Sequence, residues 1–158
     1  YAEIELGSGV ELQRIEACVV ATDLPETGHF QCSDARLIQL DSNIRWSQRG
    51  NFFALPTDCP QRDERLGWTG DIQVFGPTAC VNFDSRAFLA NWLADLAIEQ
   101  AADGQVPSTV PNVIQGHAFE YGGIGWADAA TLVPWALYEA YGDTDVLAAQ
   151  FASMAAAR

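Results

Sequence analysis

The sequence predicts a mainly α-helical fold preceded by two short β-strands. Three observations support this. After residue 33, apolar residues recur every three or four positions, whereas the first 22 residues alternate between apolar and polar. Two long segments rich in Pro, Gly, Asn and Thr separate the helical stretches. The 158 residues, 49% hydrophobic and 18% charged, are typical of one globular domain.

The N-terminal residues predict a hairpin. Residues 1–6 and 10–22 alternate as strands do, and Gly7–Gly9 separates them like a loop. Since two strands alone are not independently stable, we expect them to be the tail of an upstream β-sandwich domain. Residues 1–27 would then be that tail with its linker, and residues 28–158 the helical domain.

The first two predicted helices flank a long loop. Ser33 is a good N-cap for a helix that runs to about Arg49. The second helix starts near Thr69 and runs to about Asn82, with Pro77 expected to kink it.

Three further helices are predicted. Asp84 caps one that ends before Asp103, residues 126–141 form the next, and Asp143 caps the last. Their apolar faces, with that of the first helix, predict core positions for three tryptophans: Trp46, Trp92 and Trp135.

The two long loops, residues 50–67 and 106–125, occupy alternate connections between helices. Loops of this length are usually functional or disordered. In a toroid of helices, alternate connections lie at the same end. We therefore expect the two loops to meet and form a pocket.

Composition excludes some functions. The net charge is −13 and all eight basic residues are Arg, which argues against nucleic acids and anionic membranes as partners. No apolar run reaches about 18 residues, the length of a membrane span. The four cysteines do not have the spacing of a zinc site, so we predict neither a bound metal nor a cofactor. Because the chain starts at Tyr1 without a leader pattern, we expect a fragment whose localisation and oligomeric state are not readable.

Residues 58–71 carry four acids, two arginines and Trp68. They could be a solvated loop whose last acid, Asp71, stabilises the start of a helix. They could equally bind a neutral sugar, because carboxylates accept paired hydroxyl hydrogen bonds and an aromatic ring covers the apolar C–H face. The residues alone leave both interpretations open.

A family resemblance favours the second interpretation. Residues 46–51 (WSQRGN) and 56–71 (PTDCPQRDERLGWTGD) resemble the signature of glycoside hydrolase family 78, the bacterial α-L-rhamnosidases. Shorter matches follow at 91–96, 104–107, 125–129, 134–135 and 141–143. The likeness runs from about residue 28 to the C-terminus. It implies an (α/α)6 barrel, with about five of the twelve helices in this chain, and hydrolysis of terminal α-L-rhamnose with inversion.

The resemblance also implies roles. Glu64 matches the general acid, Asp58 and Asp71 match acids that hold rhamnose hydroxyls, and Trp68 matches an aromatic wall. Arg62 would orient the carboxylates by bidentate pairing. Asp63 is the competing candidate for the acid. Trp126 and Asp128 could line the same pocket. The alternatives are a core role for Trp126 and a helix N-terminal cap for Asp128.

The matching general base does not occur in this sequence, so we expect it beyond Arg158. The fragment alone should then turn over substrate poorly. Two alternatives stay open: another glycoside hydrolase on the same barrel, and a non-catalytic sugar-binding relative. The sequence does not predict the aglycone.

Overall fold

A computed structural model describes residues 3–158 and confirms a mainly helical fold. The five helices are α1 (Ala35–Asn51), α2 (Thr69–Asn82), α3 (Arg86–Glu99), α4 (Ala129–Tyr141) and α5 (Thr144–Ala156). Strands β1 (Phe52–Phe53) and β2 (Leu55–Pro56) form a small antiparallel hairpin directly after α1. Within residues 3–158, no helix combines the length and apolar character needed to cross a membrane.

The two predicted N-terminal strands are not observed: residues 3–22 contain no strand, and Tyr1 and Ala2 lie outside the described residues. The turn between them does form, since Val10 N donates to Gly7 O at 3.2 Å. The flanking segments have exposed apolar side chains and no ladder partner among residues 3–158. Alternation indicates a strand only where another strand supplies hydrogen bonds and a packed face.

The core lies between α2, α3, α4 and α5. Helix α4 packs against the other three, and Trp92 and Leu93 of α3 and Leu137 of α4 are at most 2% exposed. Phe52 of β1 stacks on Phe88 of α3 with ring centroids 4.6 Å apart. Each fully buried side chain of this size stabilises the fold by roughly 1.5–3 kcal/mol.

Only one of the three predicted core tryptophans is buried. Trp92 is 2% exposed, as predicted, whereas Trp46 is 54% and Trp135 is 46% exposed. The prediction for Trp46 and Trp135 is wrong because the outer faces of α1 and α4 have no packing partner in the described part of the chain. The Arg49 guanidinium lies 5.2 Å from the Trp46 ring centroid instead.

Helix α1 is held to α2 by buried polar groups. Gln48 Nε2 donates to Ala79 O at 3.2 Å, and Gln48 Oε1 accepts from Asn82 Nδ2 at 3.2 Å. Arg45 Nη1 donates to Asn82 O at 3.2 Å. These bonds fix the end of α1, from which the first long loop departs.

Capping residues and apolar periodicity predicted most helix ends to within a few residues of their observed positions. Asp143 accepts from Asp145 N at 2.9 Å, as predicted. Asp34, not Ser33, caps α1, through a 2.9 Å bond from Arg36 N. The fourth helix begins at Ala129 rather than Trp126.

Candidate active site

The two long loops meet, as expected, at the start of α2. Thr69 N donates to Ser108 O at 2.9 Å, and Val110 N donates to Gly67 O at 2.8 Å. Trp68 and Thr109 form an antiparallel bridge between these two bonds. Residues 106–110 therefore fix the backbone that leads from the acidic loop into α2.

The acidic loop, residues 57–67, is closed by a pair of bonds. Asp58 N donates to Leu66 O at 3.1 Å, and Leu66 N donates to Asp58 Oδ1 at 3.1 Å. Glu64 and Arg65 both have positive φ, +88° and +42°. Residues with side chains rarely adopt this conformation, so the fold must hold it in place.

The carboxylate of Asp58 is nearly enclosed, with its side chain 9% exposed. Oδ1 accepts from Leu66 N, and Oδ2 accepts from the Cys59 thiol at 2.6 Å and from Arg62 Nη2 at 3.4 Å. A carboxylate has about four acceptor positions. Asp58 therefore has room for about one further hydrogen bond.

Glu64 lies between a cation and an indole. Arg62 Nη1 donates to Glu64 Oε2, and Trp68 Nε1 donates to Glu64 Oε1. The Glu64 side chain is 31% exposed, whereas neighbouring Asp63 is exposed and lies outside this cluster. The loop thus distinguishes the two candidate acids, because the Glu64 carboxylate accepts hydrogen bonds from two side chains and the described contacts include none for the Asp63 carboxylate.

Asp58, Cys59 and Glu64 each place one atom within 4.8 Å of the others, a grouping that could suggest a cation site. The Arg62 guanidinium already pairs with both carboxylates. The hydrogen bond to Asp58, followed by burial, raises the pKa of the Cys59 thiol. A protonated thiol is a poor metal ligand, so these groups fit a hydrogen-bonded cluster better.

Asp71 lies in the first turn of α2 and shares a cavity of about 210 Å³ with Asp58. The wall of this cavity also includes Gln48, Thr57 and Phe75. Although Asp71 is exposed to solvent on one side, desolvation raises its pKa, and the negative charge of Asp58 adds to this effect. The cavity thus presents two carboxylates of different exposure.

Trp126 lies in the turn before α4 and packs beside Gly70 of α2. A Cβ atom at Gly70 would lie 2.9 Å from two atoms of the indole, so only glycine permits this approach. Trp126 and Asp71 line a second, open cavity of about 520 Å³. Asp128 Oδ2 accepts from Gly125 N at 3.0 Å and so stabilises the turn that carries Trp126.

Two aromatic residues absent from the predicted site lie beside it. Phe119 and Tyr121 join Trp68 and Trp126 around an apolar hollow of about 480 Å³. Phe119 is 73% exposed, although large apolar side chains are usually buried. The sequence feature that could have identified them is an aromatic pair in a long loop otherwise rich in small and polar residues.

The sequence of the chain matches a known family. Residues 25–157 match the family described as the bacterial alpha-L-rhamnosidase 6 hairpin glycosidase domain. The chain belongs to this family. The match starts inside the predicted linker and covers all five helices of the α-L-rhamnosidase domain fragment.

Relatives agree with this assignment. The chain is 52% identical over 130 residues to an α-L-rhamnosidase of Streptomyces avermitilis and 44% identical over 133 residues to one of Formosa agariphila. These alignments cover 82% and 84% of the chain but only 12% and 14% of the relatives. The chain therefore spans a small part of the length of these relatives.

Solved structures share the fold. The Streptomyces avermitilis α-L-rhamnosidase, solved in complex with L-rhamnose, superposes with a TM-score of 0.81 at 49% identity over 86% of the chain and 13% of that structure. The native α-L-rhamnosidase from Aspergillus terreus gives 0.78 at 46% identity over 87% of the chain and 16% of that structure. The five helices are thus similar to part of the six-hairpin domain.

Proposed function

We propose that residues 28–158 are the acid-bearing part of the catalytic domain of an inverting α-L-rhamnosidase. In this proposal Glu64 is the general acid, and residues 1–27 are the link to an upstream domain. The observation that carries it is the environment of Glu64. Its carboxylate is held by Arg62 and Trp68 beside a cavity that contains Asp58 and Asp71.

This environment suits an acid that loses its proton during the reaction. Glu64 would protonate the glycosidic oxygen as the bond to the sugar breaks, which leaves a carboxylate behind. Arg62 and the Trp68 indole N–H are already directed at its two oxygens. Donors placed where negative charge develops lower the barrier, because they need not reorganise.

The surrounding groups suit a 6-deoxy sugar. Asp71 and the remaining acceptor position of Asp58 would accept sugar hydroxyls, with Arg62 orienting the carboxylates. Trp68, Trp126, Phe119 and Tyr121 would contact the C–H face and the methyl group. The similar Streptomyces structure contains L-rhamnose, which supports a rhamnose-containing glycoside as the substrate.

The general base would come from outside residues 1–158. Glu120 accepts from Gly116 N at 2.7 Å and Asn112 Nδ2 at 3.2 Å, and Glu99 accepts from Asn112 N. Both therefore stabilise the second loop. An inverting enzyme needs its base carboxyl about 6.5–9.5 Å from the acid, with a water molecule between.

Replacement of Glu64 in the full-length protein tests the acid. Glu64→Gln should lower kcat by at least about 100-fold on an alkyl α-L-rhamnoside, whose leaving group needs protonation. The loss should be much smaller on 4-nitrophenyl α-L-rhamnoside. The matched control, Asp63→Asn, should stay near the parental rate on both substrates. A parental rate for Glu64→Gln on the alkyl substrate would refute the assignment.

A separate measurement tests whether hydrolysis inverts the configuration at the anomeric carbon. Proton NMR during the first turnovers should show β-L-rhamnose before mutarotation. Initial release of the α anomer would contradict inversion. Rhamnose binding without any hydrolysis would instead identify a non-catalytic sugar-binding relative, and preferred cleavage of another sugar from a panel of aryl glycosides would identify a different hydrolase.

A further inference from the structure

Trp68 joins the two long loops at the candidate acid. Its backbone forms the bridge to Thr109, and the bonds of Gly67 and Thr69 with the second loop lie on either side. Its side chain is partly buried, and its indole N–H donates to Glu64 Oε1. The residue that fixes the loop junction therefore also contacts the acid.

The Trp68 side chain has two separable chemical features. The ring lines the apolar hollow with Phe119 and Trp126, while the N–H group is used on Glu64. An aromatic wall for a sugar needs only the ring. The N–H contact is therefore not explained by sugar stacking.

We propose that Trp68 is a positioning residue for the general acid, which it orients through the indole N–H while the second loop holds its backbone. This inference rests on the proposed function, in which Glu64 is the acid. It predicts that the ring and the N–H group contribute to different kinetic parameters.

The groups around Glu64 show what the indole N–H contributes to its orientation. Arg62 donates to the other oxygen, Asp58 and Cys59 lie in the same cluster, and Asp71 lies across the adjoining cavity. Loss of the indole N–H should therefore leave Arg62 as the donor that orients the Glu64 carboxylate, which should lower kcat more than it changes KM.

The deciding experiment measures kcat and KM of the full-length enzyme on an alkyl α-L-rhamnoside. Trp68→Phe keeps a ring and removes the N–H group. We expect kcat to fall about tenfold and KM to stay within about twofold.

Trp92→Phe is the matched control, because Trp92 Nε1 donates to Val110 O at 3.3 Å in the core and does not contact Glu64. It should lower Tm without lowering kcat. A Trp68→Phe enzyme with a raised KM but an unchanged kcat would overturn the proposal and leave Trp68 as a wall only.

A double variant separates positioning from general loss of structure. If Trp68 acts through Glu64, adding Trp68→Phe to Glu64→Gln should lower kcat by less than about twofold more. A further tenfold loss would overturn the proposal. Glu64→Gln measured alone reports on the proposed function separately, since a parental rate there rejects Glu64 as the acid whatever Trp68→Phe does.

Discussion

The thiol of Cys59 lies 2.6 Å from Asp58 Oδ2, so two adjacent residues of the acidic loop form a hydrogen bond through their side chains. Cys59 is buried, and its raised pKa keeps the thiol protonated as a donor. Together with Leu66 N on the other oxygen, the thiol fixes the plane of the Asp58 carboxylate.

Removal of this donor should weaken substrate binding. In the full-length enzyme, Cys59→Ala should raise KM for a rhamnoside about five- to tenfold, because a hydrogen bond to a charged group is lost. Cys59→Ser keeps a donor and should recover much of the effect. Cys80→Ala, in the core of α2, is the control. Equal KM values for Cys59→Ala and Cys59→Ser would show that the thiol hydrogen bond is not used.

The side chain of Arg65 tethers the loop that presents Glu64. It donates to Gly50 O at the end of α1, and its Nε lies 3.4 Å from Thr57 Oγ1. Without this tether the positive φ values at Glu64 and Arg65 should relax. Arg65→Ala should lower kcat about tenfold, and Arg65→Lys by less.

The control for Arg65 is Arg36→Ala, an exposed residue at the start of α1 that pairs with Asp34. Its kcat should be parental. If Arg65→Ala also keeps the parental kcat, the loop conformation does not depend on the tether.

Two glycines of α2 offer a matched pair for testing Trp126. A Cβ at Gly70 would lie 2.9 Å from the Trp126 indole, whereas a Cβ at Gly76 meets nothing within 4 Å. Gly70→Ala should displace the indole, raise KM at least about threefold and change tryptophan fluorescence. Gly76→Ala should leave KM unchanged, because its added Cβ does not approach the Trp126 indole. Similar KM values for both variants would exclude Trp126 from substrate binding.

The raised pKa of Asp71 predicts a pH-dependent stability. Between its unfolded and folded pKa values, the folded state binds more protons than the unfolded state. Ionisation of Asp71 therefore costs stability as pH rises through that window. Asp71→Asn removes this cost, so its Tm relative to the parent should rise by about 1–3 °C from pH 3 to pH 7.

Substrate binding should weaken in the same Asp71→Asn variant, since a predicted sugar ligand is lost. Asp145→Asn removes the corresponding first-turn carboxylate of α5 and serves as the control. A Tm difference between Asp71→Asn and the parent that does not change with pH would contradict the prediction.

Sequence determined the helices of this protein well. The bounds of α2 were predicted as Thr69 to about Asn82, and Asp143 was identified as the cap of α5. Alternate placement of the long loops also predicted their meeting. These features depend on apolar periodicity, capping and chain order, which act within a few residues or follow from helix topology.

Tertiary structure decided burial and the contacts of the site. Residues 3–22 alternate like strands, and Trp46 and Trp135 lie on apolar helix faces, but all of them lack packing partners among residues 3–158. A local sequence pattern does not show whether such a partner exists. The Glu64–Trp68 hydrogen bond depends on the left-handed turn at residues 64–65, and the position of Phe119 depends on bonds between residues 67–69 and 106–110. The bonds between the two loops join segments about 40 residues apart, so their energies do not appear in any local stretch of sequence. The Glu64–Trp68 bond spans only four residues, but it needs a backbone conformation that residues with side chains rarely adopt without support from the rest of the fold.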